Sequence, residues 1–405
     1  MTAPANSNSG IDSPRAWLIV VAAFFVSFVG FGVTYSFGVF LKPLGIAFGA
    51  NHASMSTIFS TLTVLSFFLA PITGEVADRI GPRYVVAAGA LLMGAGLLLT
   101  ARVHSFAMLY VTYGVGVGTA LACIYVPAIA AVGEWFKERR DIALGIAISG
   151  IGCGTLVAAP LAARLTGRFG WRMAFEIFGW TSLIILLGCA ALLTPPPVLR
   201  AKVTANVMGM MRTRTFVHLY ASLAFSGTAI FTAFVFLPVF AMDVGASHVA
   251  GATLIGYVGA ASVVGRLGLN ALAPRFGLLN MYKVSYWLLL LSCVVWVMVH
   301  SYAALVGFAI IMGVGYGGIA AMTPAVAAAR FGIEGLGELL GFLFTGFGVS
   351  CLVGPPLGGV LVDSTHDFRW PAIVAVVSAV IALMVVLPLR AKDSAGASAE
   401  AATAD

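Results

Sequence analysis

Gly251-Ala-Thr-Leu-Ile-Gly256-Tyr-Val-Gly259-Ala-Ala-Ser262-Val-Val-Gly265-Arg266-Leu-Gly268-Leu-Asn-Ala-Leu-Ala273 is the stretch whose reading decides the fold. Its 23 residues suit a helix that crosses a bilayer core of ~30 Å at ~1.5 Å per residue. One residue does not belong in such a setting. Arg266 carries a guanidinium that does not deprotonate at physiological pH, and burying it in a membrane helix costs at least ~2.5–3.5 kcal/mol. It therefore has to face a polar cavity, a counter-ion or an anionic ligand. The surrounding glycines let neighbouring helices approach closely.

The rest of the chain has the same character. Of 405 residues, 60% are hydrophobic and 9% charged, against about a quarter charged in a soluble domain. Apolar runs of about 18–25 residues recur throughout, which defines a polytopic helical membrane protein. A β-barrel would show short alternating segments instead. The first run, 17–41, is too long for a signal-peptide core and reads as a membrane span. Five cysteines, all inside apolar runs and without a Cys-x-x-Cys, read as packing residues. No metal or other cofactor is expected. The net charge of +7 reflects basic loops, and nucleic acid is not an expected partner.

Twelve spans are expected, at 17–41, 54–75, 84–101, 106–132, 141–163, 174–193, 216–241, 250–273, 281–299, 303–327, 336–360 and 370–389. They divide into a tail at 1–16, a six-helix bundle at 17–193, a linker at 194–215, a second six-helix bundle at 216–389 and a tail at 390–405. With the N-terminus inside, the inner loops and tails hold 15 Lys and Arg and the outer loops six. That bias places both termini in the cytoplasm, and a bacterial inner membrane is the expected location.

The two halves repeat each other. Gly114-Val-Gly116-Val-Gly118 with Pro127 in span 4 matches Gly313-Val-Gly315-Tyr316-Gly317 with Pro324 in span 10. Gly152 stands eight residues before Pro160, as Gly348 does before Pro356. Asp78-Arg79-Ile-Gly81 after span 2 matches Pro274-Arg275-Phe-Gly277 after span 8. Internal repeats of this kind generate transporters with a substrate site near the midplane, between the halves. Gly114-x-Gly-x-Gly lacks the preceding strand of a dinucleotide loop, and no hydrolase or nucleotide-binding motif occurs, so the chain is not expected to be an enzyme.

The segment Gly74-Glu-Val-Ala-Asp78-Arg79-Ile-Gly81-Pro-Arg83 resembles the loop motif of the major facilitator superfamily. Gly74, Asp78, Arg79, Gly81 and Arg83 would then form a conformational latch at the cytoplasmic mouth. Three further stretches narrow the resemblance: Tyr35-Ser-Phe-Gly-Val-Phe-Leu-Lys42-Pro43, Glu134-Trp135-Phe136-Lys137-Glu-Arg139-Arg140-Asp141, and Phe169-Gly-Trp171-Arg172. In order, they are similar to those of the monocarboxylate transporters and their bacterial relatives, which include oxalate/formate antiporters. The resemblance implies an all-α fold of twelve transmembrane helices in two pseudo-symmetric halves, with proton-coupled movement of a small carboxylate.

It further implies that Arg266 binds the carboxylate. The residue four positions earlier, often acidic or an amide in that family, is Ser262 here, one helical turn away. Tyr316, Tyr35 and Tyr125 are candidate hydroxyl donors to the substrate, and Asp243 is the candidate proton carrier, compensating Arg266 until it is protonated. Span 11 carries no Lys or Arg, so the second cation of an oxalate carrier is missing and a monocarboxylate such as lactate or pyruvate is favoured. The other readings are an organic-anion exchanger, an exporter of a larger carboxylated compound, or a non-transporting carboxylate sensor. Small carboxylate, proton and lipid bilayer are the expected partners of a monomer.

Overall fold

The computed structural model describes residues 12–194, 207–299, 301–332 and 336–389. The tails beyond these limits and most of the linker, with Arg200 and Lys202, lie outside the described residues. What is described is almost wholly helical. Ten helical stretches are long and apolar enough to cross a membrane, and a bent pair, His52–Phe68 with Ala70–Ile80 at 44°, supplies an eleventh. The twelfth is hidden inside Arg140–Leu192. Its 53 residues would span ~80 Å as one helix, more than twice a bilayer core. Gly170, at φ 82° and ψ 163°, interrupts it. Spans 5 and 6 lie on either side of that residue.

The helices outrun the apolar runs that announce them. Span 1 extends over Pro14–Phe48, span 7 over Arg214–Asp243 and span 11 over Leu336–Thr365. Polar side chains cap three of the helices in the second half. Thr213, Ser247 and Ser301 each accept a hydrogen bond from a backbone N–H of the following first turn, a contribution of about 1 kcal/mol per cap. The repeat is visible in the backbone as well. Gly81 ends span 2 at φ 98°, ψ 144°, and Gly277 ends span 8 at φ 90°, ψ 134°. Only a residue without Cβ adopts that geometry readily. Residues 110–117 of span 4, which include Gly114 and Gly116, form a wide π-helical turn, of the kind found where a helix adjusts near functional residues.

The halves meet along several seams. Span 5 meets span 8, where a Cβ on Gly152 would stand 2.5 Å from the carbonyl oxygen of Gly259 and 2.6 Å from a methyl of Val263. Span 2 meets span 11, where Phe67 and Phe347 have ring centroids 5.9 Å apart. Within the second half, spans 8 and 10 are in backbone contact: a Cβ on Gly313 would lie 2.5 Å from the carbonyl of Val258. These contacts hold span 8, and with it Arg266, against both a neighbour of its own half and a helix of the other.

Candidate functional site between the halves

Arg266 sits in the helix His248–Phe276 and is only 5% exposed. Its Nη1 donates to the carbonyl oxygen of Ile148 on span 5 at 2.6 Å. Its guanidinium carbon lies 5.6 Å from the ring centroid of Tyr316 on span 10, within cation–π range. Nε and Nη2 are buried and have no hydrogen-bond partner, and no carboxylate of the described residues forms an ion pair with this side chain. Leaving a buried donor unsatisfied costs about 1–3 kcal/mol, and more when it is charged. Nε–H and Nη2–H form one edge of the planar guanidinium, the edge that takes a carboxylate in two parallel hydrogen bonds.

Tyrosines from both halves gather near the guanidinium. The hydroxyls of Tyr35, on span 1, and Tyr316 are 3.3 Å apart. Tyr35 stacks on Phe234 at 4.1 Å between centroids, and Phe31 meets Tyr125 of span 4 edge-on at 4.8 Å. Tyr35 and Tyr125 both lie in the electrostatic field of Arg266. The result is one cation and three phenols, walled by aromatic rings. It can hold a single negative charge and offers apolar surface to the rest of a ligand.

The structure brings Arg266, Tyr316, Tyr35 and Tyr125 together. Ser262 lies one turn above Arg266, fully buried, and its hydroxyl donates to the carbonyl of Gly259 at 2.7 Å. Asp243 is placed elsewhere. It is exposed at the end of span 7, where it lines a cavity of about 580 Å³ with Lys42 and His52. This cavity opens on the face opposite Asp12 and the loop at 136–139, the far face below. About 25 Å of helical rise along span 8 separates that level from Arg266, so the two do not pair in this conformation. Of the latch residues, Asp78, Arg79 and Arg83 are exposed. Arg79 pairs with Glu75 on its own helix at 2.6 Å, and Gly74 faces Val126 of span 4 at ordinary contact distance. The Ile148 carbonyl, Phe31 and Phe234 are site components that sequence reading passed over. A backbone oxygen leaves no trace in a sequence, whereas the run Phe231, Phe234 and Phe236 was a usable signal.

A membrane-embedded bundle of two repeated halves, with a buried arginine among tyrosines on the seam between them, is the architecture of a transporter. The sequence profile of the Major Facilitator Superfamily matches residues 23–299 and 271–404, and the chain belongs to that superfamily. Its curated relatives include monocarboxylate transporter 12-B of Danio rerio, 28% identical over 88% of this chain and 83% of the relative. Monocarboxylate transporter 12 of Homo sapiens is 28% identical over 90% and 78%. Monocarboxylate transporter 13 of Bos taurus is 31% identical over 60% and 58%. Among solved structures, a bacterial homolog of the human lysosomal transporter Spinster, inward-facing and unoccupied, matches with a TM-score of 0.75 at 16% identity. That match covers 93% of this chain and 97% of the other, and it supports the fold. The protein is a multi-pass membrane transporter of that superfamily, not an enzyme, and its sequence is similar to those of monocarboxylate transporters.

Proposed function

We propose that this transporter carries a small monocarboxylate, similar in size to lactate or pyruvate, together with a proton, by alternating access. The proposal includes a monomer in a bacterial inner membrane with both termini in the cytoplasm. The observation that carries it is Arg266: a buried guanidinium on the seam between the halves, with Nε and Nη2 unpartnered. A carboxylate would satisfy both donors at once, and the phenols of Tyr316 and Tyr35 would bind its remaining lone pairs.

One guanidinium balances one carboxylate. A dianion would bring a second charge into an aromatic enclosure that has no second cation on span 11, and unpaired buried charge is strongly unfavourable. The names of the curated relatives agree with a single carboxylate. Proton coupling is assigned to Asp243 at the far-face mouth, where it takes up the proton before the anion descends to Arg266. Co-movement of the proton leaves the translocated pair electrically neutral.

The test is uptake of labelled lactate and pyruvate into proteoliposomes under an inward proton gradient. Arg266→Ala is expected to abolish uptake while the protein still reconstitutes. Uptake at the parental rate would remove Arg266 from the mechanism, and parental protein that moves neither acid would remove the substrate assignment.

A further inference from the structure

Residues 49–52, Gly-Ala-Asn-His, and residues 245–248, Gly-Ala-Ser-His, hold the same place in the two halves. The glycines share a positive φ, 61° at Gly49 and 89° at Gly245. The third residue of each set caps the helix that follows. Asn51 Oδ1 accepts from the N–H of Ser54 at 2.9 Å, and Ser247 Oγ accepts from that of Ala250 at 3.1 Å. Each histidine is then the first residue of its helix, span 2 for His52 and span 8 for His248.

Both histidines reach across to the other half. His52 Nδ1 lies 2.8 Å from Oδ1 of Asp363 on span 11. The same carboxylate accepts from the backbone N–H of His52 at 3.0 Å and of Ala53 at 2.8 Å. Asp363 therefore caps, from the second half, a helix of the first, where a carboxylate also meets the favourable end of the helix dipole. Gly359, one turn earlier, makes the approach possible, since a Cβ there would stand 2.6 Å from Cα of Ala53. The Phe368 ring packs edge-on against His52 at 5.3 Å. In the other repeat, His248 Nε2 donates to the carbonyl oxygen of Val39 on span 1 at 3.0 Å.

We infer that His52 and His248 are paired clamps that hold the far face shut, and that breaking both cross-half contacts is the step that exposes the site to that side. Any rocking that parts the halves at this face pulls span 11 from span 2 and span 8 from span 1, so neither contact survives it. Duplication places the two clamps at equivalent positions about the pseudo-twofold axis, and they share the load of closure. The inference needs only two rocking halves, whatever the cargo.

The test uses the full-length purified transporter with a reporter cysteine. Met55, buried at 1% exposure beside His52 and lining the far-face cavity, is changed to Cys. Its reaction with a charged maleimide is timed, with the label taken up by the parent's own cysteines subtracted. His52→Ala and His248→Ala are each expected to speed labelling about threefold to tenfold, as loss of one hydrogen bond would, and the double variant more than either. His104→Ala, an exposed loop histidine, is expected to leave the rate unchanged. Where an alanine variant does not fold, Asp363→Asn takes its place, because it keeps the volume and removes one of the two carboxylate acceptors. Parental labelling rates in variants that melt as the parent does would overturn the inference.

Discussion

Arg266 donates to the carbonyl of Ile148 at 2.6 Å, so the charge at the centre of the second half is bonded to a helix of the first. That bond uses Nη1 and leaves the Nε–Nη2 edge unused. Arg266→Lys keeps the charge, and an ammonium can still meet one oxygen, but the two-bond edge is lost. Affinity for lactate or pyruvate is expected to fall about tenfold or more, at ~1.5–3 kcal/mol for a charge-assisted bond. A thermal-shift titration of the purified variant checks this. Unchanged affinity would mean that the anion does not use the edge.

The 3.3 Å contact between the hydroxyls of Tyr35 and Tyr316 separates two roles of Tyr316. Tyr316→Phe keeps the ring beside the guanidinium and removes only the hydroxyl. Substrate affinity is expected to drop about twofold to tenfold, the worth of one neutral hydrogen bond, and melting to fall slightly because the buried Tyr35 hydroxyl loses its partner. Tyr316→Ala also removes the cation–π face and is expected to lose more. Tyr35→Phe should resemble Tyr316→Phe. The titration used for Arg266→Lys provides the comparison.

Much of this arrangement is legible without coordinates. Apolar runs locate the spans, and the paired turns at Gly81 and Gly277 follow from the repeat. Arg266 stands out because a charge in an apolar run has to be explained. What escapes the sequence is where side-chain donors are spent. Ser262 shares a helix face with Arg266 by spacing, yet its hydroxyl goes to Gly259. The aromatic-basic cluster at 169–172 reads as a loop between spans 5 and 6, yet a single non-helical residue, Gly170, makes the break. His52 and His248 look like ordinary loop residues until the opposite half is placed against them.

The glycines on the seam set a steric limit. At Gly152 a Cβ would press on backbone, the carbonyl of Gly259, as well as on Val263. Backbone yields little, so Gly152→Val is expected to cost this closed arrangement about 1–3 kcal/mol, to lower the melting temperature and to slow transport. Gly145→Ala, on the same span with nothing within 4 Å of a new Cβ, should melt and transport as the parent does.

At the face opposite the Asp243 cavity, Asp12 accepts hydrogen bonds from the backbone N–H groups of Lys137, Glu138 and Arg139. Desolvation pushes its carboxyl up, but those bonds and the Arg139 charge outweigh it and hold the group below the usual carboxylate value. A depressed carboxyl contributes its bonding above the ordinary value of about 3.9 and loses it as pH falls through the lower folded value. Protection of the amides at 137–139, relative to an unstructured peptide at the same pH, is therefore expected to hold at neutral pH and to be lost only below the ordinary carboxylate value. Asp12→Asn should bring that loss of protection to neutral pH, as measured by mass spectrometry of the peptide covering those residues.

Distance turns the assignment of Asp243 into a sharp experiment. It faces the far-face cavity, about 25 Å of helical rise from Arg266, so neutralising it leaves the anion site intact. Asp243→Asn is expected to bind lactate or pyruvate as the parent does in a thermal-shift titration. In proteoliposomes loaded with a pH dye, the same variant is expected to lose proton movement with substrate and accumulation driven by a proton gradient. Exchange of labelled for unlabelled acid, which needs no net proton transfer, should persist. Protons still entering with the acid at the parental ratio would clear Asp243 of the role. Loss of binding together with coupling would instead place Asp243 at the anion site in another conformation of the cycle.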